Sequence, residues 1–183
     1  NDVLADTAHV VVVQTVADID ITQDAVRLEA LGETAVLDVT VVDASGSPLD
    51  AAVQWTVRDP SVATISSNTV TAAANGATWV VASAGEVSDS MSVRVEQVAV
   101  SFRATVPRDT VNALGATVQA EAVGTDANLH PLSSVPVSWQ SLTPTVASVS
   151  TDGVITALSR GDARVTATQA GMTDTVAVHV RQV

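Results

Sequence analysis

The side chains of this sequence that could do chemistry are mainly carboxylates. Asp18, Asp20 and Asp24 lie close together in one short stretch, and carboxylate oxygens are the ligands that calcium prefers. They make this stretch a candidate calcium site. The alternative is that they belong to an acidic, solvated surface that keeps the chain soluble. The spacing of a calcium-binding EF-hand loop is absent, so both interpretations stay open.

Histidine, cysteine and serine form no further metal-binding or catalytic motif. His9, His130 and His179 are far apart in the sequence, and they form no His-x-His or His-Glu-x-x-His pattern. The chain has no cysteine, which removes thiolate metal sites, nucleophilic cysteines and disulfides. No serine lies in a Gly-x-Ser-x-Gly turn. We therefore expect no catalytic residue, no transition-metal site and no bound cofactor other than the calcium considered above.

The charge balance excludes two classes of partner. The 183 residues include 8 Lys+Arg and 20 Asp+Glu, which gives a formal net charge of −12. An acidic chain lacks the basic surface that nucleic acid or anionic lipid requires. The longest apolar run, Val10 to Val13, is far shorter than the roughly 20 residues of a membrane-spanning helix. We expect neither nucleic-acid binding nor a membrane span in this segment.

An internal repeat organises the chain. The sequence around Trp55, residues 53–65, recurs around Trp139 as residues 137–149. The pair Asp43-Ala44 recurs at 126–127. The shift between the copies is 83 to 85 residues, so the sequence holds two copies of a unit of about 84 residues, a suitable size for a small all-β domain. Asp18, Asp20 and Asp24 have no acidic counterpart at 101–107, so a calcium site would not be a property of the repeat.

The N-terminal stretch resembles the end of a repeat. Residues 6–14 match residues 89–97 and 174–182, each of which closes a copy. Residues 1–14 are therefore expected to be the closing strand of a preceding repeat or a strand donated to a neighbouring chain. Unlike the other copies, this strand is apolar on both faces, which predicts that it is covered on both sides. Its candidate assembly residues are Val10, Val11, Val12 and Val13.

Each copy reads as short alternating strands between turns. Apolar and polar residues alternate from Leu37 to Val41 and from Val53 to Val57, which is typical of strands with one buried face. About seven such strands in 84 residues predict a β-sandwich. With few aromatic residues, each core is built from valine and alanine around one tryptophan, Trp55 or Trp139. Replacing either of these two core residues with alanine is expected to cost about 3 to 5 kcal/mol.

Trp79 is the tryptophan that the repeat does not explain. The alignment places it opposite Arg164, on the outer face of a strand. Exposed aromatic side chains favour interfaces, so Trp79 is a candidate contact for a partner or a glycan. The alternative is that it lies flat on its own sheet or against a neighbouring domain.

The combined pattern resembles bacterial immunoglobulin-like domains of group 2, the tandem modules of intimin- and invasin-like surface proteins. The resemblance covers most of the chain. In the second copy Leu129 occupies the place of the glycine in the family's Asp-Ala-x-Gly-x-Pro turn, and the first copy has Asn68-Thr69 in place of an Asp-Gly turn. The matching residues are the Trp55 and Trp139 strands, the runs 60–65 and 144–149, the turn 43–48, and the segments 152–157 and 161–168.

The resemblance implies an immunoglobulin-like fold, no catalytic residues, and an extracellular or bacterial cell-surface location. We predict an all-β chain of two tandem sandwiches, residues 15–97 and 98–183, preceded by one extra strand, 1–14. The expected function is a structural or adhesive stalk segment whose partners are neighbouring repeats or copies of itself. Two alternatives are a subunit of an extracellular filament joined through the N-terminal strand, and a carbohydrate-binding module that uses Trp79.

Overall fold

The computed structural model describes residues 14–132 and 136–181, and these ranges contain strands and loops with no helix. The described residues divide into two compact units. Unit 1 comprises residues up to 28 together with 34–95, and unit 2 comprises 29–33 together with the residues from 96 onward. The short segment 29–33 thus belongs to unit 2, although its neighbours in sequence belong to unit 1. The domain boundaries derived from the sequence stay predictions.

Nine strands make up the described part of unit 1. They are β1 (Asp18–Ile21), β2 (Ala25–Leu28), β3 (Thr34–Val36), β4 (Val39–Val42), β5 (Gln54–Val57), β6 (Ala63–Ser66), β7 (Thr69–Ala72), β8 (Gly76–Ala84) and β9 (Val87–Val95). The largest sheet has the order β2-β9-β8-β5, with β2 parallel to β9 and the other pairs antiparallel. A second sheet has the order β3-β7-β6, and β1 pairs with β4.

The strands of unit 2 repeat this arrangement. They are β10 (Ser101–Thr105), β11 (Thr110–Val111), β12 (Thr117–Gln119), β13 (Glu121–Thr125), β14 (Ser138–Ser141), β15 (Ala147–Val149), β16 (Val154–Ala157), β17 (Gly161–Gln169) and β18 (Met172–Val180). The sheets have the orders β11-β18-β17-β14, β12-β16-β15 and β10-β13, and β11 is parallel to β18. The predicted all-β sandwich is confirmed.

Alternation along the long strands creates the cores. In β8, Val80, Ala82 and Ala84 are buried, whereas Trp79, which precedes Val80, is 45% exposed, because successive side chains of a strand point to opposite faces. The largest fully buried side chains of the described residues are aliphatic, apart from one carboxylate, Asp126. Burial of small branched side chains replaces the aromatic packing that this composition cannot supply.

Trp139 lies at the margin of the unit 2 core. It is partly buried and packs against the buried cluster, together with Ala122 and Val137. Trp55 in unit 1 is also partly buried, and it lies opposite Ala82 of β8, as Trp139 lies opposite Ala167 of β17. Their importance for stability stays a prediction.

One carboxylate in each unit, at equivalent positions, connects two sheets. Asp89 on β9 accepts a 2.8 Å hydrogen bond from the backbone amide of Ile21 on β1. In unit 2, Asp174 on β18 accepts a 2.8 Å bond from the amide of Ala104 on β10. The amide of Ala104 is the main cause of the lowered pKa of Asp174. These carboxylates satisfy backbone donors at the margin of the sandwich, where an unpaired amide would be costly.

Candidate functional site

The most elaborate polar site of the described residues is centred on the Asp126 carboxylate in unit 2. Asp126 is fully buried. Its Oδ2 accepts 2.9 Å hydrogen bonds from the backbone amide of Leu31 and from Nε2 of Gln97. Its Oδ1 accepts bonds of 3.0 and 2.9 Å from the amides of Asn128 and His130. A buried carboxylate with four donors is strongly positioned, because each bond to a charged acceptor is stronger than a neutral one.

These bonds keep Asp126 charged. Burial raises its pKa, but hydrogen bonds from Gln97, Leu31, His130 and Asn128 outweigh burial and lower the pKa to about 2. The imidazole Nδ1 of His130 also lies 3.6 Å from Oδ1. A carboxylate whose lone pairs are all engaged by such donors binds loops together and does not exchange protons near neutral pH.

The turn around Asp126 is local in origin. The amide of Asp126 donates to the carbonyl of His130, and the amide of Leu129 donates to the carbonyl of Asp126, both at 3.0 Å. Leu129 has φ of +66° and a side chain that is 78% exposed. A left-handed conformation is unfavourable for a residue with a Cβ. The left-handed backbone that Gly46 has in the equivalent turn of unit 1, with φ of +80°, is therefore retained with leucine at this position.

The equivalent turn of unit 1 is built around Asp43. Its Oδ1 accepts bonds from the amide and hydroxyl of Ser45 and from the amide of Ser47, and its Oδ2 accepts one 3.1 Å bond from Nε2 of Gln14. Hydrogen bonds from Ser45 and Ser47 are the main reasons why the pKa of Asp43 is lowered to about 2. Gly46 has φ of +80° here, as the turn type requires.

Sequence reasoning did not single out either of these aspartates as a site. The recurrence of Asp43-Ala44 at Asp126-Ala127 was the available signal, and Asp89 and Asp174 recur in the same way. A repeated acidic residue inside an otherwise apolar repeat marks a position that the fold requires. Burial of Asp126, however, depends on donors that are far away in sequence.

Trp79 is on the outer face of β8, as the alignment predicted. The guanidinium carbon of Arg58 lies 5.6 Å from the centroid of its ring, within the range of a cation–π contact. In unit 2 the equivalent pair is Leu142 and Arg164, which have the same backbone bond, 2.8 Å in unit 2 and 2.9 Å in unit 1. The two units therefore present different side chains at the same position of their equivalent sheets.

The candidate calcium residues do not form a cluster. Asp18 and Asp20 are exposed on β1, and Asp24 is exposed in the loop before β2. Within residues 14–132 and 136–181, no three His, Asp or Glu side chains come together in a group that could hold a metal ion. Calcium binding by Asp18, Asp20 and Asp24 stays a prediction.

A small exposed ion cluster lies on the long hairpin of unit 2. His179 Nδ1 is 2.8 Å from Asp162 Oδ1, and Arg181 is 3.4 Å from the same oxygen. The hydrogen bond from His179 is the main cause of the lowered pKa of Asp162. This is a cross-strand pair, because His179 lies directly opposite Asp162, and such pairs stabilise sheets modestly.

The other predicted residues lie elsewhere. Val10, Val11, Val12 and Val13, together with His9, lie outside the described residues. In the part of the chain that the structure describes, no helix is long and apolar enough to cross a membrane.

Two of the cavities that described residues line are shallow and lie in unit 2. One, of about 320 Å³, has Val98, Val100 and the carboxylates Glu29 and Glu33 in its wall. Glu33 already accepts bonds from the amides of Glu29 and Ala30. The other, of about 420 Å³, is an open depression beside Trp139 and Asp152. Neither brings together a nucleophile and a base, or converging donors that would define a substrate.

The all-β arrangement of paired sheets in each unit defines the class of protein, an immunoglobulin-like β-sandwich. Residues 135–182 match the family model Big-like, the bacterial Ig-like domain. The predicted resemblance to bacterial immunoglobulin-like domains is thereby confirmed for this segment, without a subtype. Ig-like domains of this kind are non-enzymatic, in agreement with the prediction that the chain is no enzyme. No curated protein sequence matches the chain.

Solved structures with a similar fold come from several kinds of protein. The N-terminal four Ig domains of Dscam1 isoform 6.9 match 92% of this chain and 47% of that chain, with 11% identity and a TM-score of 0.56. Domains 4–9 of the surface layer protein SbsC match 93% of this chain and 32% of that chain, with 23% identity and a TM-score of 0.42. The Escherichia coli adhesin FdeC matches 91% of this chain and 65% of that chain, with 14% identity and a TM-score of 0.45.

The chain spans less than two thirds of each of these three structures. At such identities the Dscam1 likeness establishes the fold alone. The Big-like match points to a surface or extracellular bacterial protein of a structural or adhesive kind.

Proposed function

We propose that this chain is a non-enzymatic stalk segment of a bacterial extracellular or cell-surface protein, in which Ig-like repeats act as spacers or adhesive modules. The observation that carries the proposal is the Big-like match over residues 135–182, on a unit whose strand order is repeated in unit 1. The polar groups of the described residues support a structural role. Asp126, Asp89 and Asp174 are engaged by backbone amides and hold strands and turns in place.

Localisation on intact cells tests this function. Antibodies raised against the full chain should label intact cells of the source bacterium, and brief protease treatment of intact cells should remove the signal. A cytoplasmic protein probed in parallel is the control for lysis. Labelling that requires permeabilised cells would contradict the proposal.

A filament subunit joined through residues 1–14 is a second candidate, favoured by the two apolar faces of Val10 to Val13 in the sequence. Strand addition between copies is head-to-tail and does not close, so it produces polymers. Sedimentation of the chain with and without residues 1–14 separates the outcomes. Polymers only with these residues support the filament, whereas two monomeric preparations at high concentration exclude it.

Carbohydrate binding by Trp79 is a third candidate, supported by the exposure of its ring. Arg58 already lies over the ring, so a sugar would share or displace this contact. Binding to a glycan array by the wild type, lost in Trp79→Ala, would support it. Equal and negligible binding by both proteins would exclude it.

A further inference from the structure

The contact between Leu31 and Asp126 has a donor half, the turn, and an acceptor half, the carboxylate. Each half recurs elsewhere in the chain, where no described residue supplies the other half, and we call these two places the unmatched halves. Within unit 2, Asp126 Oδ2 binds the amide of Leu31 and the side chain of Gln97, and Nδ2 of Asn128 donates to the carbonyl of Leu31 at 2.8 Å. Leu31 is therefore held through both its amide and its carbonyl. In the repeat alignment the Ala30-Leu31-Gly32 turn is the counterpart of 113–115.

The first unmatched half is the donor turn at Leu114. Both turns have the same shape, because Ala116 donates to Ala113 at 3.3 Å as Glu33 donates to Ala30 at 3.2 Å. The following glycines also agree, with φ of +76° at Gly115 and +73° at the equivalent position. Among the described residues, however, the Leu114 amide has no hydrogen-bond acceptor, and the Leu114 side chain is 47% exposed.

The second unmatched half is the acceptor at Asp43 in unit 1. The glutamine is retained, since Gln14 and Asp43 are separated by 29 residues, as are Gln97 and Asp126. Among the described residues, Asp43 Oδ2 accepts only the bond from Gln14, so none of them supplies the second donor that the amide of Leu31 supplies to Asp126. A carboxylate oxygen has room for a second N–H donor.

We propose that the Asp43–Gln14 pair is a docking site for another Ig-like repeat of this kind, which binds through the backbone amide of its own Ala-Leu-Gly turn, and that the turn at Leu114 is the corresponding donor. The inference rests on the proposed stalk function and names the surface by which one repeat recognises the next. The occupant is a second repeat because this chain contains the complementary turn, with an exposed leucine and an amide that donates to no described residue.

The contact is expected to be weaker than the one at Asp126. Ser45 stands where Asn128 stands in the second turn, and its hydroxyl bonds to Asp43 itself at 2.7 Å. The second bond, to the leucine carbonyl, is therefore missing. A single charge-assisted bond plus one leucine side chain gives little affinity between free molecules, but covalent linkage raises the effective concentration of the partner.

A three-repeat chain tests the proposal. Residues 98–181 are joined directly to residues 14–183, which keeps the register because Gln182 and Gln14 are equivalent in the alignment. The leading copy then supplies a Leu114 turn next to Asp43, whereas the Leu114 turn of the last copy has no partner and is the internal control. Hydrogen exchange is followed at both Leu114 amides by segmental labelling.

We expect the leading Leu114 amide to exchange about tenfold more slowly than the trailing one. Asp43→Ala should abolish the difference, and Asp50→Ala, a nearby exposed carboxylate, should leave it. The amide of Gly115, which is bonded to Ala157 at 2.8 Å, reports whether the added copy is folded. Equal exchange of the two leucine amides in a folded chain would overturn the proposal.

The unextended chain gives a second measurement that needs no added copy. At millimolar concentration the amide resonance of Leu114 should shift with concentration, and Asp43→Ala should prevent the shift. A concentration-independent resonance together with equal exchange in the longer chain overturns the docking site. Labelling of intact cells is independent of both results, so failure of the docking site leaves the stalk function standing.

Discussion

The turns at Asp43 and Asp126 begin from the same repeated motif and reach different environments. Asp126 is fully buried and binds donors from positions 31, 97, 128 and 130, whereas Asp43 is only partly buried and binds mainly the serines of its own turn. The two units have the same strand order, so the difference does not lie in the sheets. This difference shows that the repeated aspartate organises its own turn in both units. It also binds a second segment where one lies close enough.

The largest expected effect tests whether the two cores depend equally on their tryptophans. Trp139→Ala should destabilise unit 2 by about 3 to 4 kcal/mol, because it removes a large side chain that packs against the buried cluster. Trp55→Ala should have a similar effect on unit 1. Urea unfolding measures both, with hydrogen exchange to assign the unit. A loss below about 1 kcal/mol would show that these tryptophans contribute little to core packing.

Gly153→Ala tests how closely the turn at Gly153 packs against Trp139 in unit 2. A Cβ at this position would lie 2.9 Å from the carbonyl oxygen of Ala120 and 3.0 Å from the ring of Trp139, and φ is +81°. We expect a loss of about 3 kcal/mol. Gly171→Ala is the matched control, because φ is +83° there with nothing within 4 Å. Equal losses would mean that backbone strain, and not crowding, sets the cost.

Asp126→Asn sharpens the comparison of the two turns. At pH 7 it should destabilise by about 2 kcal/mol, since an amide side chain cannot accept four hydrogen bonds with a full charge. Folding lowers the pKa of Asp126 from 3.8 to about 2. The carboxylate's contribution is therefore complete above pH 4 and is lost as the pH falls through about 2.

The corresponding measurement is the difference in unfolding free energy between wild type and Asp126→Asn from pH 7 down to pH 2, which should narrow below pH 4. Asp50→Asn, an exposed change of the same charge, is the control. A difference that does not vary with pH would show that shape alone, and not charge, matters at Asp126.

Leu129→Gly should stabilise unit 2, by about 1 kcal/mol or less. The change removes the strain of leucine at φ +66°, offset in part by the greater freedom of glycine in the unfolded chain. Gly46→Leu is the mirror experiment and should destabilise unit 1, because nothing crowds a Cβ there and only backbone strain changes. Thermal melting of both variants gives the sign, and destabilisation by Leu129→Gly would contradict the interpretation.

Trp79→Ala should have the smallest effect on stability, below about 0.5 kcal/mol. Its side chain is 45% exposed, and its contact with Arg58 is at the surface. Introducing Trp at the equivalent Arg164 provides the reciprocal variant. Urea unfolding of Trp79→Ala beside Trp139→Ala measures the contrast, and comparable losses would place Trp79 in the packing of unit 1.

Alternation and repetition predicted much of the fold. The outer position of Trp79 and the alternation between core and surface along the strands followed from the sequence, whereas the left-handed turn was not predicted for a leucine at position 129. These features are local, because the side-chain period of a strand and the conformational cost of a turn depend on neighbouring residues. The candidate calcium residues illustrate the opposite case, since closeness in sequence along β1 and the following loop does not by itself gather Asp18, Asp20 and Asp24 into a cluster.

The sequence by itself determined the class of fold, the length of the repeat and the residues that alternate between core and surface. Only the tertiary structure decided that β2 and β11 run parallel to the last strands, that segment 29–33 belongs to unit 2, and that Asp126 is buried. The physical reason is that a buried carboxylate needs several donors, and two of those of Asp126 come from residues 29 and 95 positions away in the chain. Local pattern specifies a strand, but the satisfaction of buried polar groups is settled by what the folded chain brings together.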